Sequence, residues 1–417
     1  MKLYIDPGTG SMLFAILIGV FGVLRFACKG VFIKLKFLFS GGKKTDAVDD
    51  TIPLAIFADD KRYWKIFEPV ICELDRRGFG VTYLTASPDD PALQSNIKSM
   101  KCEFIGDGNR AFGKMNFLKA TMVLSTTPGL DVYQWKRSKD VQWYVHMMHG
   151  MSEIAAYHMF GIDFYDALML SGAYQERDVR NLERIRGLPK KEIEMIGIPY
   201  MDCMMTRIRE AGPVEPHERT VLLAPSWGKS SVFGHFGGRI IALLLETGYH
   251  IIVRPHPQSF TSEKEMIDTL MAEYPESAQL EWNRDTDNFE VQRRSDIMIS
   301  DFSSIVLEYA LGFDKPVICM DTEFDIGPYD AWWLDTPFWT DTALPRIGRI
   351  LTEENLPKLK ALIDESIDDA SFTSSRHQVR EETWVYPGAG AARAADYLVR
   401  KFKALTELDK REEAQSC

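Results

Sequence analysis

The sequence predicts an α/β fold: two doubly wound parallel sheets in tandem, preceded by a membrane-associated N-terminal helix. Three observations carry this expectation. Short apolar, β-rich runs alternate with longer amphipathic stretches along most of the 417 residues, which is the pattern of parallel strands joined by helical crossovers. The alternation stops at a charged, proline-bearing stretch, "REAGPVEPHERT" (209–220), and then restarts. Polar residues with chemistry to offer follow directly on several apolar runs, where open α/β sheets receive ligands.

The N-terminal element comes first. "GTGSMLFAILIGVFGVL" (8–24) is 17 residues without a charge, about 26 Å as a helix and just short of a ~30 Å hydrocarbon core. Residues 25–44 follow with six basic and no acidic side chains, placed to snorkel toward headgroups. A cleaved signal peptide fits less well, because the basic residues follow the apolar run instead of preceding it. The expectation for residues 1–45 is an anchor, spanning or interfacial, with the body on the cytoplasmic side.

The body is read next. In its first half the strand candidates are 52–58, 80–85, 102–106, 121–126, 141–148, 166–171 and 193–197, with helical stretches such as "RYWKIFEPVICELDRRG" (62–78) between most of them. After the linker, strands are expected at 221–226, 250–255, 296–300 and 316–320, and a helix at 238–248. The division is thus 46–208 as a first domain, 209–385 as a second, and 386–417 as a C-terminal helix that either packs locally or returns onto the first domain.

Composition narrows the function. Residues 1–45 hold seven Lys/Arg and one acidic residue, whereas the rest holds 42 basic and 59 acidic residues within a net charge of −11. So acidic a body argues against nucleic-acid binding, which needs a basic face. The six cysteines are scattered singly, without CxxC or zinc spacing. This points to a reducing compartment and no structural metal.

Three strand ends stand out. In "HIIVRPHPQ" (250–258) the apolar strand ends in Arg254 and His256 between prolines that stop the chain from continuing as strand or helix. Arginine forks onto two phosphate oxygens, and histidine donates to phosphate or moves a proton. In "SDIMISDFSSIVLEYALG" (295–312) a strand meets a helix at Asp301, Ser303 and Ser304. Capping alone explains such serines, but a helix start also presents N–H groups and positive potential to an anion. Glu308 stands about one and a half turns later, placed for a ribose. In "YVHMMHGMSE" (144–153) a strand ends at His149 and Gly150, with His149 placed as a general base. His146 is expected to be a satisfied strand histidine, and a metal at the HxxH pair is not expected. Ser171, Ser226 and Lys229 are further candidates for lining a cleft or contacting phosphate. The Gly-Lys-Ser run at 228–230 lacks the glycine spacing of a P-loop. The aromatic segment 324–339 fits core packing, an acceptor platform or a membrane-facing patch equally.

Taken in order, "HG" (149–150), "SGAYQERDV" (171–179), "GIPYMD" (197–202), "PSW" (225–227), "RPHP" (254–257) and residues 295–316 resemble the CDP-glycerol glycerophosphotransferase family of teichoic-acid primases and polymerases. The resemblance covers roughly residues 140–320. It implies two Rossmann-like domains facing a cleft (GT-B). It also implies transfer of a polyol-phosphate from a CDP-linked donor to a lipid-linked saccharide or polymer at the membrane, with no further cofactor. His149 and His256 then become catalytic. Arg254, Ser226, Ser303 and Ser304 hold donor phosphates, Glu308 the ribose, and Gly150, Ser171, Lys229 and Asp301 line the cleft. One departure is Gly228, where the family often carries arginine. Two rival readings remain: a glycosyltransferase using a nucleotide sugar, and a catalytically inactive, membrane-tethered nucleotide-binding protein of an envelope assembly complex.

Overall fold

The computed structural model describes residues 51–416 apart from 286, 323 and 324. The expected N-terminal anchor lies outside the described residues. Among the described residues, no helix is long and apolar enough to cross a membrane.

The strands form where the apolar runs predict them. β1 (Ile52–Ala58), β2 (Val81–Thr85), β3 (Met100–Phe104), β4 (Ala120–Ser125), β5 (Val141–Met147), β6 (Ala167–Leu170) and β7 (Glu192–Met195) build one sheet in the order β3-β2-β1-β4-β5-β6-β7. β8 (Thr220–Leu223), β9 (His250–Val253), β10 (Leu280–Trp282), β11 (Ile297–Ser300), β12 (Val317–Met320) and β13 (Arg349–Leu351) build a second, in the order β10-β9-β8-β11-β12-β13. Every pairing is parallel. A parallel strand is covered by helices on both faces, so it reads as a continuous apolar run. Leu54, Ala55, Ile56 and Phe57 of β1 are accordingly all fully buried.

Each sheet reverses its winding once, between β1 and β4 and between β8 and β11. These switch points open a crevice at the carboxyl ends of the strands. The site is built at and beside these two places.

The chain crosses between the sheets twice. The first crossing leaves helix Pro199–Ala211 and enters β8 at Thr220. The second follows helix Ser371–Thr383 and runs back along the first sheet into the long helix Gly390–Ser416. There Val385 N–H donates to Ser171 O at 3.0 Å. Trp143 Nε1 lies 3.3 Å from Tyr397 Oη, and Ala394, Ala395 and Leu398 are fully buried.

Candidate functional site

Each candidate side chain sits just past the end of a strand. His149 follows β5 and is half-buried. Its Nδ1 is 3.4 Å from Thr126 Oγ1, beyond β4, and 3.5 Å from Tyr157 Oη. His146, inside β5, is fully buried, with Nε2 2.9 Å from the same Tyr157 Oη and Nδ1 unpartnered. It is therefore only half satisfied, contrary to expectation.

The unpartnered nitrogen settles the His146 tautomer. A buried lone pair without a partner is tolerated better than a buried N–H without one, so His146 carries its proton on Nε2 and donates to Tyr157 Oη. The tyrosine hydroxyl in turn donates to Met148 Sδ at 3.4 Å. In the tautomer with its proton on Nδ1, His149 has Thr126 Oγ1 and Tyr157 Oη as acceptors and keeps a free lone pair on Nε2. Burial pulls His149 down to about 4, helped by the positive charges of Arg62 and Lys65. The ring is neutral at pH 7 and able to accept a proton.

On the second sheet, Arg254 and His256 follow β9. Arg254 Nη1 donates to Asn283 Oδ1 at 2.6 Å, which orients the guanidinium. His256 Nδ1 accepts the Gln258 N–H at 3.1 Å, so the neutral ring keeps its proton on Nε2 as a donor. Burial holds His256 at about 4, with further lowering from Arg62 and Arg254. Arg62 thus acts on both imidazoles, although they lie on different sheets.

After β11 the chain turns through Asp301 into helix Ile305–Gly312. Asp301 is fully buried. It accepts from Ser226 N at 3.0 Å, Ser226 Oγ at 2.6 Å, Val232 N at 3.0 Å and Ser303 N at 3.2 Å. It ties the ends of β8 and β11 together at the switch point and does not line a cleft. Ser226 is corrected for the same reason: its N–H and O–H are both spent on Asp301. Ser303 and Ser304 differ. Ser304 is the residue before the helix, yet its side chain caps nothing. For Ser304 the capping explanation is thereby removed. Instead, a Cβ built on Gly150 would lie 3.9 Å from Ser304 Oγ. The His149–Gly150 turn of one sheet meets the serine turn of the other.

Glu308 lies on that same helix and accepts a hydrogen bond from Tyr200 Oη at 2.6 Å. Arg207 and Asp287 add an ion pair at 2.6 Å between helix Pro199–Ala211 and the segment ahead of helix Phe289–Arg294. Ser171 is a further correction. It is buried, and its carbonyl receives the returning chain at Val385, so it holds the crossover and lines no cleft. Lys229 is exposed. Gly228 adopts φ +93°, a conformation in which an arginine side chain would be strained.

Nothing in the motifs pointed to Arg62, Tyr63 and Lys65, which follow β1 at its switch point. The Tyr63 ring lies 5.3 Å from the His149 ring. The strand-end rule used for β5, β9 and β11 was the signal that could have found them. Among the described residues, no group of three or more His, Cys, Asp or Glu is placed to hold a metal ion. A cavity of about 600 Å³ lies beside β10, lined among others by Trp282, Asn283 and Arg284; Asn283 is also the residue that accepts from Arg254.

Comparison with known proteins places this geometry. No curated protein sequence matches the chain. Among solved structures, the wall teichoic acid polymerase TagF, a histidine-to-asparagine variant soaked with CDPG, matches at TM-score 0.52 and 16% identity, covering 86% of this chain and 91% of that one. The UDP-GlcNAc 2-epimerase of Methanocaldococcus jannaschii, in complex with UDP-GlcNAc and UDP, matches at TM-score 0.54 and 14% identity, over 84% and 99%. MnaA of S. aureus with UDP matches at TM-score 0.55 and 12% identity, over 85% and 96%. At such identities these likenesses show the fold. The family model of CDP-glycerol:poly(glycerophosphate) glycerophosphotransferase matches residues 117–386. That span takes in well over half the chain and both sides of the seam where Gly150 meets Ser304, and the protein belongs to this glycerophosphotransferase family.

Proposed function

We propose that the protein transfers a polyol-phosphate unit, glycerol-phosphate or a close relative, from a CDP-linked donor to a hydroxyl of a lipid-linked saccharide or polymer. The observation that carries this reading is the approach of Gly150 to Ser304 Oγ, 3.9 Å from a built Cβ. It sets a neutral histidine from one sheet against free hydroxyls and a helix start on the other. The acceptor hydroxyl oxygen attacks the donor's distal phosphorus, the bond from that phosphorus to the bridging oxygen breaks, and CMP leaves with the electron pair. His149 Nε2 takes the hydroxyl proton. His256 Nε2–H, Arg254 and the Ser303–Ser304 turn stabilise the charge that builds on the leaving phosphate. Glu308 holds the nucleotide ribose. No cofactor beyond the donor enters these steps. The six basic residues of 25–44 support a body held at the cytoplasmic membrane face, where such an acceptor is presented.

The test is product identity. The protein is incubated with membrane extract and labelled CDP-glycerol, CDP-ribitol, UDP-sugars or GDP-sugars in turn. Release of CMP with label passing into lipid-linked material is the expected result. Release of UDP or GDP instead would make it a nucleotide-sugar transferase, and nucleotide binding without any product would make it a catalytically inactive member.

A further inference from the structure

The first sheet contributes a cationic pair that no motif includes. Arg62 lies in the turn Lys61–Tyr63, and Lys65 is the second residue of helix Trp64–Arg76. Three residues apart, they share one side of this helical segment. Both are exposed and both lie outside residues 117–386.

Their surroundings direct them at the seam between the sheets. The Arg62 Cζ stands 5.3 Å from the Tyr63 ring centre, and that ring stands 5.3 Å from His149. Lys65 Nζ stands 4.6 Å from the Tyr200 ring, whose hydroxyl bonds Glu308 on the second sheet's helix. Arg62 is therefore one side chain from the reacting histidine, and Lys65 one side chain from the helix that begins at Ser304. Neither charge is well neutralised. Arg62 has Asp60 at 3.4 Å with both partners exposed, a pairing worth little. Lys65 packs on the Tyr200 face and has Asp287, itself paired with Arg207, within electrostatic range.

We infer that Arg62 and Lys65 form an anion clamp that grips the pyrophosphate of a nucleoside diphosphate from the side opposite Arg254, His256, Ser303 and Ser304. Arg62 sits over the phosphoryl group being transferred and Lys65 nearer the nucleotide. The identification of the anion rests on the reading under Proposed function; the existence of the clamp does not. Burial is the main cause of the lowered His149 and His256 values, and the Arg62 charge lowers both further, so it lies within electrostatic range of both rings. The other charged groups at this end are Asp59 and Asp60 beyond β1, Arg254 beyond β9, and the Arg207–Asp287 pair.

The test uses inorganic pyrophosphate and the full chain, followed by the imidazole NMR signals of His149 and His256. In the wild type, pyrophosphate shifts both signals. Arg62→Ala and Lys65→Ala each weaken binding by about tenfold, the loss of one charge-assisted hydrogen bond, with the thermal midpoint unchanged. Lys264→Ala, an exposed lysine on a separate helix, leaves the affinity as it was. Equal affinity in Arg62→Ala and wild type overturns the clamp, and so does an equal loss in Lys264→Ala, which would indicate only bulk charge. A parallel assay measures CMP release from CDP-glycerol. If the wild type releases none while pyrophosphate binding still depends on Arg62, the donor assignment falls and the clamp stands.

Discussion

His149 and His256 are neutral at pH 7 for the same reason, burial beside positive charge, yet they present opposite faces. With Nδ1 protonated toward Thr126 and Tyr157, His149 keeps a lone pair on Nε2, whereas the Gln258 N–H on Nδ1 of His256 leaves a proton on its Nε2. One ring is thereby fitted to accept a proton and the other to donate a hydrogen bond. His149→Ala and His256→Ala should each lower kcat by ~10²–10³ with an unchanged circular dichroism spectrum. Near-normal transfer by both variants would refute the roles assigned to them. Because both pKa values lie at about 4, kcat/KM should stay level down to about pH 5 and then fall along an acid limb as His149 is protonated. Stability follows the same sign. The folded-state values of both rings, and of His146 at about 3, lie below the ~6.5 of an unfolded histidine. The unfolded chain binds more protons below that value, so this contribution is complete above about pH 6.5 and is lost as pH falls toward 4. Thermal midpoints at neutral and acid pH check it.

At the scale of elements, the aromatic segment after β12 proves to be packing at least as far as Trp333 and Trp339. Asp330 is fully buried and accepts from Phe160 N at 2.8 Å. Arg186, at the end of helix Ala173–Arg186, bonds both Asp163 at 2.7 Å and Asp330. The same guanidinium stands 4.8 Å from the Phe160 ring and 5.1 Å from the Trp333 ring. Trp339 stacks on Tyr174 at 4.2 Å. A segment that follows a strand of the second sheet is thus fastened to the first. Removing one partner of a buried charge cluster leaves the others uncompensated, at a cost of about 3–5 kcal/mol. Arg186→Leu should therefore lower the denaturant midpoint and speed hydrogen exchange at Tyr329–Leu334. An unchanged midpoint would mean that the cluster contributes nothing net. Trp332 remains 58% exposed beside this anchor.

At the scale of the molecule, the two sheets are joined by the returning chain as well as by the site. Two glycines in the family-like motifs serve that return. A Cβ on Gly172 would lie 2.2 Å from Glu382 O, and one on Gly197 would lie 2.1 Å from Val385 O. Gly197 also holds φ +77°. The Asp202 carboxylate, from the same motif, accepts from Gly388 N at 2.6 Å and Gly390 N at 2.9 Å. These residues let the backbone pass and start the final helix. Gly197→Ala combines a strained φ with a backbone clash and should cost at least ~1–3 kcal/mol. Its signature is loosening of 384–408 in hydrogen exchange ahead of both sheets. Uniform exchange across the protein would count against the crossover as a separate fastening.

What the sequence determined by itself is the set of strands and the strand ends. Apolar runs covered on both faces announce themselves by composition, so β1 was legible to the residue and most others to within one or two. Three-residue edge strands such as β10 and β13 carry too little pattern to be read. That His149, Arg254, His256 and the Ser303–Ser304 turn stand at strand ends was legible, because each follows directly on an apolar run. The tertiary structure alone decided how those groups are used. Ser226, Ser171 and Asp301 look the same as ligand-binding residues in one dimension, and only the fold reveals that their hydrogen bonds are spent on each other or on the returning chain. Arg62 and Lys65 look like the polar side of a helix until the second sheet stands opposite. A side chain's type follows from local sequence, but its partners are chosen by segments a hundred or more residues away, and chemistry at a seam between two sheets depends on the partners.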